Sequence, residues 1–434
     1  MGTFKIELGL SYIKIKRVKI DQDGNYHISV SCTAKNTTCK DCGKKISNVH
    51  GHCKESVIEH LPVFHSKVFI HVKWPRFKCP YCDNHPTTSF KPPWLGGNGE
   101  LTLEYENNAL KWLINSTIKD VALKLKTTEE VIEGIVSRRV NTEIDWNRIS
   151  PTKIGLDEIA LRKGHKHYLT IVSDTSEPEN IKILGVIDGR KKDDIRPFLQ
   201  SIPKDILLSL EAITIDMSAS YFPALKERLD HVYEKDDEKD DVFNRIVTID
   251  RFHVAKLLGD HVDKERKKIT DQLKEEYKDD EETLNNIKGT MWPFRHHKKD
   301  VSDLSDEDQA HLDSLFEMSP LLKECYDLRE SLYNIFETEL SIKEAEKKID
   351  EWIESAEKYK KTSNPFTSFI KTYKTYKCNI LNYFRSRSSN GPVEGLNNKI
   401  KVIKRRGFGF RNVTNFARRL FLDINLKPQL MPTS

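Results

Sequence analysis

Apolar and polar residues alternate along Tyr12-Ile13-Lys14-Ile15-Lys16, a period of two that turns one face of a strand toward a core. Asp23-Gly24 is a hairpin turn signal before the next strand-like run, Tyr26–Val30. The patterning returns within Ser56–Trp74, in the stretch LPVFHSKVFIHVKW. After the loop Lys91–Gly99 (KPPWLGGNG) the period lengthens, and three helices are expected: Tyr105–Ile114, Thr117–Leu125 and Thr127–Val140. Val121 with Leu125 gives the second an apolar face, and Thr127 with Glu130 has the spacing of a capping box on the third.

From residue 151 short β-rich runs take over at Ile154–Ala160, His167–Ser173 and Ile181–Asp188, with turns at Lys163-Gly164 and Thr175–Asn180. A helix is expected around Asp193–Ser201. Glu211–Asp216 and Ile246–Asp250 read as two further strands, each ending in Asp and leading into a helix. Residues 251–388 are charged and long-period, an expected all-α insertion, most clearly so in Glu330–Lys360. The last helix opens near Pro392, whose fixed φ and missing N–H suit a first turn. The order β-β-β-α-β-α-β with a late helix is the ribonuclease-H-like arrangement. The expected fold is therefore multidomain α/β: N-terminal strands and zinc ribbon (1–97), helix-turn-helix (98–148), first part of the ribonuclease-H-like core (149–250), all-α insertion (251–388), and core final helix with basic tail (389–434).

The cysteines give the N-terminal strands their metal. In Cys39-Lys-Asp-Cys42 and Cys79-Pro-Tyr-Cys82, each C-x-x-C turn presents two thiolates, and two such knuckles complete a tetrahedral zinc site. His50, His52, His65 and His71 crowd the same region, but four thiolates already fill a structural site. Cys32 and Cys53 read as structural or incidental. In the helix-turn-helix, Glu129, Glu130 and Glu133 occupy the end of the second helix from which bases are normally read, while Arg138 and Arg139 at the far end are candidates for phosphate.

The 434 residues fit about three domains. Charged residues make up 32% and hydrophobic ones 37%, and no apolar run approaches the ~18–20 residues that span a bilayer. The N-terminus MGTFKIELGL lacks the charged and apolar regions of a signal peptide, so a cytoplasmic location is expected. Net charge is only +5, but it is uneven: Asp236–Asp241 and Asp279–Glu282 are acidic, while every charge in Lys399–Arg419 is basic. Phe408, Phe410 and Phe416 interleave with that basic run, a combination that suits nucleic acid.

Ribonuclease-H-like chemistry needs clustered carboxylates, because Mg²⁺ or Mn²⁺ takes oxygen ligands and two ions divide the work of an in-line phosphoryl displacement. Asp157 is the first-strand candidate, since the adjacent Glu158 faces the opposite way. Asp216 and Asp250 compete for the second position. The fourth strand of this topology lies beside the first and the fifth lies outside it, which favours Asp216; Asp250 then caps its helix. Glu394 is the third acid, its alternative being a glutamate that caps its own helix. Asn398, Lys401 and Arg405 share its helix face, and with Lys399, Lys404, Arg406 and Arg411 they are candidates to hold phosphates.

The chain resembles the insertion-sequence transposases of the ISL-three family. The stretches that carry the resemblance are Cys39–Cys42 with His50-Gly51-His52, Arg76–Cys82, Gly155–Glu158 with Gly164-His165-Lys166, Ile215–Met217 with Tyr221, Asp250–His253, and above all GPVEGLNNKIKVIKRRGFGFRNVTNF at Gly391–Phe416. The resemblance implies a zinc ribbon and helix-turn-helix joined to a DDE catalytic domain with Asp157, Asp216 and Glu394 as its acids. Phe408 stands where tyrosine is common in that family, a difference expected to affect packing only. The expected function is a DNA transposase that binds terminal inverted repeats of double-stranded DNA, acts as a homodimer in the DNA complex, and performs metal-dependent hydrolysis and strand transfer. A nuclease on the same fold and a catalytically silent repressor are the alternatives.

Overall fold

Alternation dictates the first sheet. In the computed structural model β1 (Ile13–Ile20) pairs antiparallel with β2 (Tyr26–Cys32), and β3 (Ser56–Val63) with β4 (Ser66–Val72), in the order β1-β2-β4-β3. Every residue is described except 1–7, 162–166, 218–220, 233–238, 291–293, 295–304, 361–362, 388–390 and 432–434. The Lys163-Gly164 turn, the Gly164-His165-Lys166 stretch and acidic positions 236–238 therefore lie outside the described residues. The sheet's inward residues Ile28, Val30, Ile58, Val68, Ile70 and Val72 bury against Trp74, Phe90 and Trp94.

Three helices follow: α1 (Leu103–Leu113), α2 (Ile118–Lys124) and α3 (Glu129–Arg139). The capping box forms at Thr117–Asp120, not at Thr127–Glu130. The third helix begins with Thr128 as its N-cap, which makes Glu130 the second helical residue, one short of the position that reaches back. Glu106 of α1 is fully buried and receives two guanidinium groups from α3, Arg138 at 2.8 Å and Arg139 at 3.0 Å. These elements belong to a first compact unit, residues Met1–Thr142 with Val402–Ser434.

The second unit is Glu143–Lys401. Its sheet is β5 (Lys153–Ala160), β6 (Tyr168–Asp174), β7 (Lys182–Asp188), β8 (Ala212–Ile215) and β9 (Val247–Ile249), in the order β7-β6-β5-β8-β9. The first three strands are antiparallel neighbours, while β8 and β9 run parallel to β5. Near-continuous apolar strands such as β8, all four residues of it buried, mark a sheet covered on both faces. Helices α4 (Lys192–Ser201) and α5 (Tyr221–Val232) bring Ile195, Leu199, Leu225 and Leu229 onto Ile154, Leu156, Ile213 and Ile215. A second core joins α6 (Arg251–Glu276), α7 (Pro320–Glu337), α8 (Ile342–Lys358) and α9 (Thr367–Leu381) through Leu258, Val262, Leu322, Ile349, Trp352 and Phe369. Asn379 of α9 donates to the Val247 carbonyl of β9 at 3.0 Å, which ties that helical layer to the sheet. Among the described residues no helix is long and apolar enough to cross a membrane.

Helix α10 (Gly391–Arg406) buries Val393, Leu396, Asn397 and Ile400 along one face. Its approach to β5 depends on Gly155. A Cβ there would lie 2.9 Å from a Val393 methyl, 3.2 Å from Ser173 Oγ and 3.3 Å from Thr175 Cγ2. A glycine inside a strand commonly marks such close contact. Helix α11 (Val413–Leu420) belongs to the first unit, where Arg419 donates to the carbonyls of Leu113 at 2.6 Å and Ser116 at 2.8 Å.

Replacing Gly155 by Ala should push Val393 away from the central strand and cost about 1–3 kcal/mol, the usual range for overpacking. Urea denaturation checks the loss; an unchanged midpoint would mean that α10 yields without strain.

Candidate metal centres and acidic site

The four knuckle cysteines converge. Their sulfurs lie within 4.8 Å of one another, with Cys79–Cys82 at 3.6 Å, Cys42–Cys79 at 3.7 Å and Cys39–Cys82 at 4.0 Å. Tetrahedral zinc with 2.3 Å bonds to sulfur separates its ligands by about 3.8 Å, so the donor set fits zinc in number, element and spacing. Local backbone builds each turn: Cys39 N–H donates to the Lys44 carbonyl and Gly43 N–H to that of Cys39, with Gly43 at φ +69°. Backbone N–H groups of Cys42 and Asp41 pull the Cys39 thiol down to about 6, which favours the thiolate a metal requires. His50 and His52 are exposed and outside this group, while His71 shares a 2.9 Å hydrogen bond with His27.

The acidic site grows from strand register. Leu156 of β5 pairs with Ile215 of β8, and Ile215 with Ile249 of β9, so the next residues are Asp157, Asp216 and Asp250 in one row. Carboxylate oxygens of Asp157 and Asp216 and a ring nitrogen of His253 lie within 4.8 Å of one another, all three residues half-buried. His253 stands in the first turn of α6, the helix that begins where β9 ends. Asp250 is 1% exposed and occupies the N-cap of α6, yet makes no side-chain cap bond there. Glu158 points elsewhere and pairs with Arg190 at 2.9 Å.

Both oxygens of Asp157 are held. Glu158 N–H donates to Oδ1 at 2.6 Å and Asn397 Nδ2 donates to Oδ2. Burial raises the Asp157 carboxyl above its ordinary range and Asp250 adds to the rise, while the Glu158 N–H, His253 and Asn397 act the other way. Asn397 Oδ1 is buried with no hydrogen-bond partner among the described residues. Burial also raises the phenol of Tyr221, which lies in the field of Glu158, Asp216 and Asp157.

Glu394 occupies the first turn of α10, exposed and outside the Asp157–Asp216–His253 group. Asn398, Lys401 and Arg405 are exposed like Glu394, and Lys399 and Arg406 are exposed as well. Arg406 donates to Asn115 Oδ1. Arg411 is exposed beside a cavity of about 440 Å³ in the first unit, whose lining includes Glu129, Glu133 and Arg418. Arg138 and Arg139 are committed to Glu106, an engagement that sequence reading missed. His253 and Asn397 were also missed as site residues. Position could have pointed to them: one follows a strand-end aspartate by three residues, the other follows Glu394 by three.

A Cys₄ knuckle module and a separate Asp/Asp/His cluster on an α/β sheet are two groups of residues of different chemistry, each able to hold a metal ion. Residues 154–420 match a family described as Transposase, the DDE type named for ISL3, and residues 35–82 match the zinc-finger of transposase IS204/IS1001/IS1096/IS1165. The chain belongs to the ISL3 family of transposases. It is 26% identical over 415 residues to the transposase for insertion sequence element IS1001 of Bordetella parapertussis, covering 94% of each chain. It is 23% identical over 368 residues to the transposase for IS1557 of Mycobacterium tuberculosis, covering 80% of this chain and 76% of that one. A local match of 32% over 127 residues to a Lactococcus lactis protein described as an ATP-dependent protease covers 29% of this chain and assigns nothing.

Elemental analysis should find about one zinc per chain, and Cys42→Ser or Cys79→Ser should release it and loosen the N-terminal module. Full retention of zinc by both variants would refute the Cys₄ site. The acidic site gives a pH signature of known sign. Because burial raises Asp157 in the folded protein, its contribution to stability falls as pH climbs from the unfolded carboxyl value, about 3.9, through the folded one. In magnesium-free buffer Asp157→Asn should therefore gain stability relative to the parent as pH rises above about 4. Urea midpoints across that window check this; a constant difference between the two proteins would contradict it.

Proposed function

We propose that this chain is a DNA transposase whose acidic site hydrolyses the phosphodiester at an element's ends and directs the freed 3′-OH at target DNA. The observation that carries this is the in-register approach of Asp157 and Asp216, with His253 within 4.8 Å, in a chain of this family. Two carboxylates suit Mg²⁺ or Mn²⁺, whereas the imidazole is a softer ligand more usual for transition metals, and Asn397 Oδ1, buried with no partner among the described residues, is a spare acceptor for water. When bound, divalent ions activate the attacking oxygen and neutralise the leaving one. Asp157 and Asp216 would hold them, Asn397 orients Asp157, and Glu394, one turn before Asn397 and Asn398, is the third acid. His253 is added to that set as a ligand.

The sheet order β7-β6-β5-β8-β9 and the late helix α10 support a ribonuclease-H-like core, with the helices after β9 as its insertion. Helices α2 and α3 are proposed as the helix-turn-helix and, with the zinc ribbon, as the reader of double-stranded end DNA. Phosphates would lie along Asn398, Lys399, Lys401, Lys404, Arg405, Arg406 and Arg411, whereas Arg138 and Arg139 have only the edges that Glu106 and Asn107 leave open. A homodimer in the DNA complex and a cytoplasmic location complete the proposal.

The test is cleavage of a plasmid carrying the DNA that flanks the coding region, with binding measured in parallel. Asp157→Asn, Asp216→Asn and Glu394→Gln should each lose at least about 100-fold in cleavage while still binding DNA. Asp250→Asn is the comparator. Should it abolish cleavage while Asp216→Asn does not, the second acid is Asp250. Should all four cleave like the parent, the metal-dependent reading is wrong.

A further inference from the structure

The loop after α10 holds two phenylalanines with opposite fates. Phe410 packs on Phe416, ring centroids 4.9 Å apart, and a Cβ on Gly407 would lie 2.7 Å from the Phe410 ring. Phe408 is 94% exposed, so its ring packs little against its own chain. Its backbone is left-handed, φ +51°, with Gly409 at +91°. A bulky residue in that region is strained, and glycine or asparagine would be easier there. The strain is not repaid by burial.

What surrounds the ring suggests its use. Hydrogen bonds from Gly407 to the Ile403 carbonyl, Phe408 to Arg405 and Gly409 to Lys404 fix the loop to the end of α10. Arg405, Arg406 and Arg411 flank it in sequence and are exposed, and Lys399–Arg419 contains no acidic residue; Asp120, Glu129 and Glu133 line the same cavity as Phe408 and Arg411. An exposed flat apolar face with arginines next to it in the chain matches a ligand that joins aromatic rings to phosphates, which is a nucleic acid. Apolar side chains that enter a base stack unstack it, and the cost is least where bases are already unpaired.

We propose that Phe408 stacks on an unpaired nucleobase of bound DNA, while the arginines beside it hold the flanking phosphates. This rests on the DNA-binding reading above and adds a preference for DNA with opened base pairs.

Fluorescence anisotropy with the full chain tests it, using a labelled blunt duplex and the same duplex with a short unpaired stretch. The parent should bind the opened probe more tightly. Phe408→Ala and Phe408→Leu should lose roughly 5- to 100-fold on that probe only, the worth of one stacked base, with the salt slope unchanged. Phe408→Tyr, which keeps a flat ring, should stay near the parent. Replacing Lys404, Arg405 and Arg406 with Ala should weaken both probes and flatten the salt slope. Leu208, exposed and outside the zinc ribbon, the helix-turn-helix and the basic run, is the control, and Leu208→Ala should bind like the parent. If Phe408→Ala binds both probes as the parent does, or changes only self-association, the stacking role is overturned and DNA binding stands. A parent that binds neither probe in a salt-dependent way overturns both.

Discussion

Parallel pairing carries Leu156 beside Ile215 and Ile215 beside Ile249, so the next residue of each strand is an aspartate at the same height in the sheet. Like charges so placed oppose one another, and burial makes the opposition costlier, as the raised carboxyl of Asp157 records. The surrounding architecture answers that constraint. His253 arrives on the helix after β9, Asn397 arrives on α10, and the Glu158 N–H closes on Asp157 from its own strand. The narrowness of Gly155 serves the same end, because only a close approach of α10 brings Asn397 to Asp157.

Strands and their order were readable because short apolar runs ending in Asp, followed by helical patterning, leave few ways to build a layer. Asp157 and Asp216 could be placed as neighbours for that reason, and the observed strand order makes them so. The knuckle cysteines were equally legible, since their spacing is itself the geometry. What stayed hidden were the partners contributed across the fold. Helical periodicity picked out the face of α10 bearing Glu394, Asn398, Lys401 and Arg405, which is the exposed one. The residue that reaches Asp157 sits on the buried face, where an asparagine among Val393, Leu396 and Ile400 gave no periodic sign.

A similar blindness affected charge. Arg138 and Arg139 looked available because nothing near them in sequence is placed to hold them. Their partner is Glu106, 32 and 33 residues away and wholly enclosed. A buried carboxylate requires neutralisation, so these arginines answer to the core before they answer to any ligand. The helix boundary at Thr128 is a smaller case: a shift of one residue moves Glu130 out of capping reach.

The first unit draws on two segments far apart in the sequence, and this sets an order of events during synthesis. The carbonyls of Leu113 and Ser116 end the first helical segment, and their donor, Arg419, follows Leu113 by 306 residues. At 5–20 residues per second the ribosome needs roughly 15 to 60 s to cover that distance. Through that interval the end of α1 lacks its partner, although the cysteine knuckles and the strands around them have already been made. Asn115 likewise waits for Asp423, to which its N–H donates at 3.3 Å. A nascent or prematurely terminated chain thus carries the N-terminal strands beside an unfinished helical neighbour. The module is completed only by a polypeptide that has already passed through every acidic residue of the second unit.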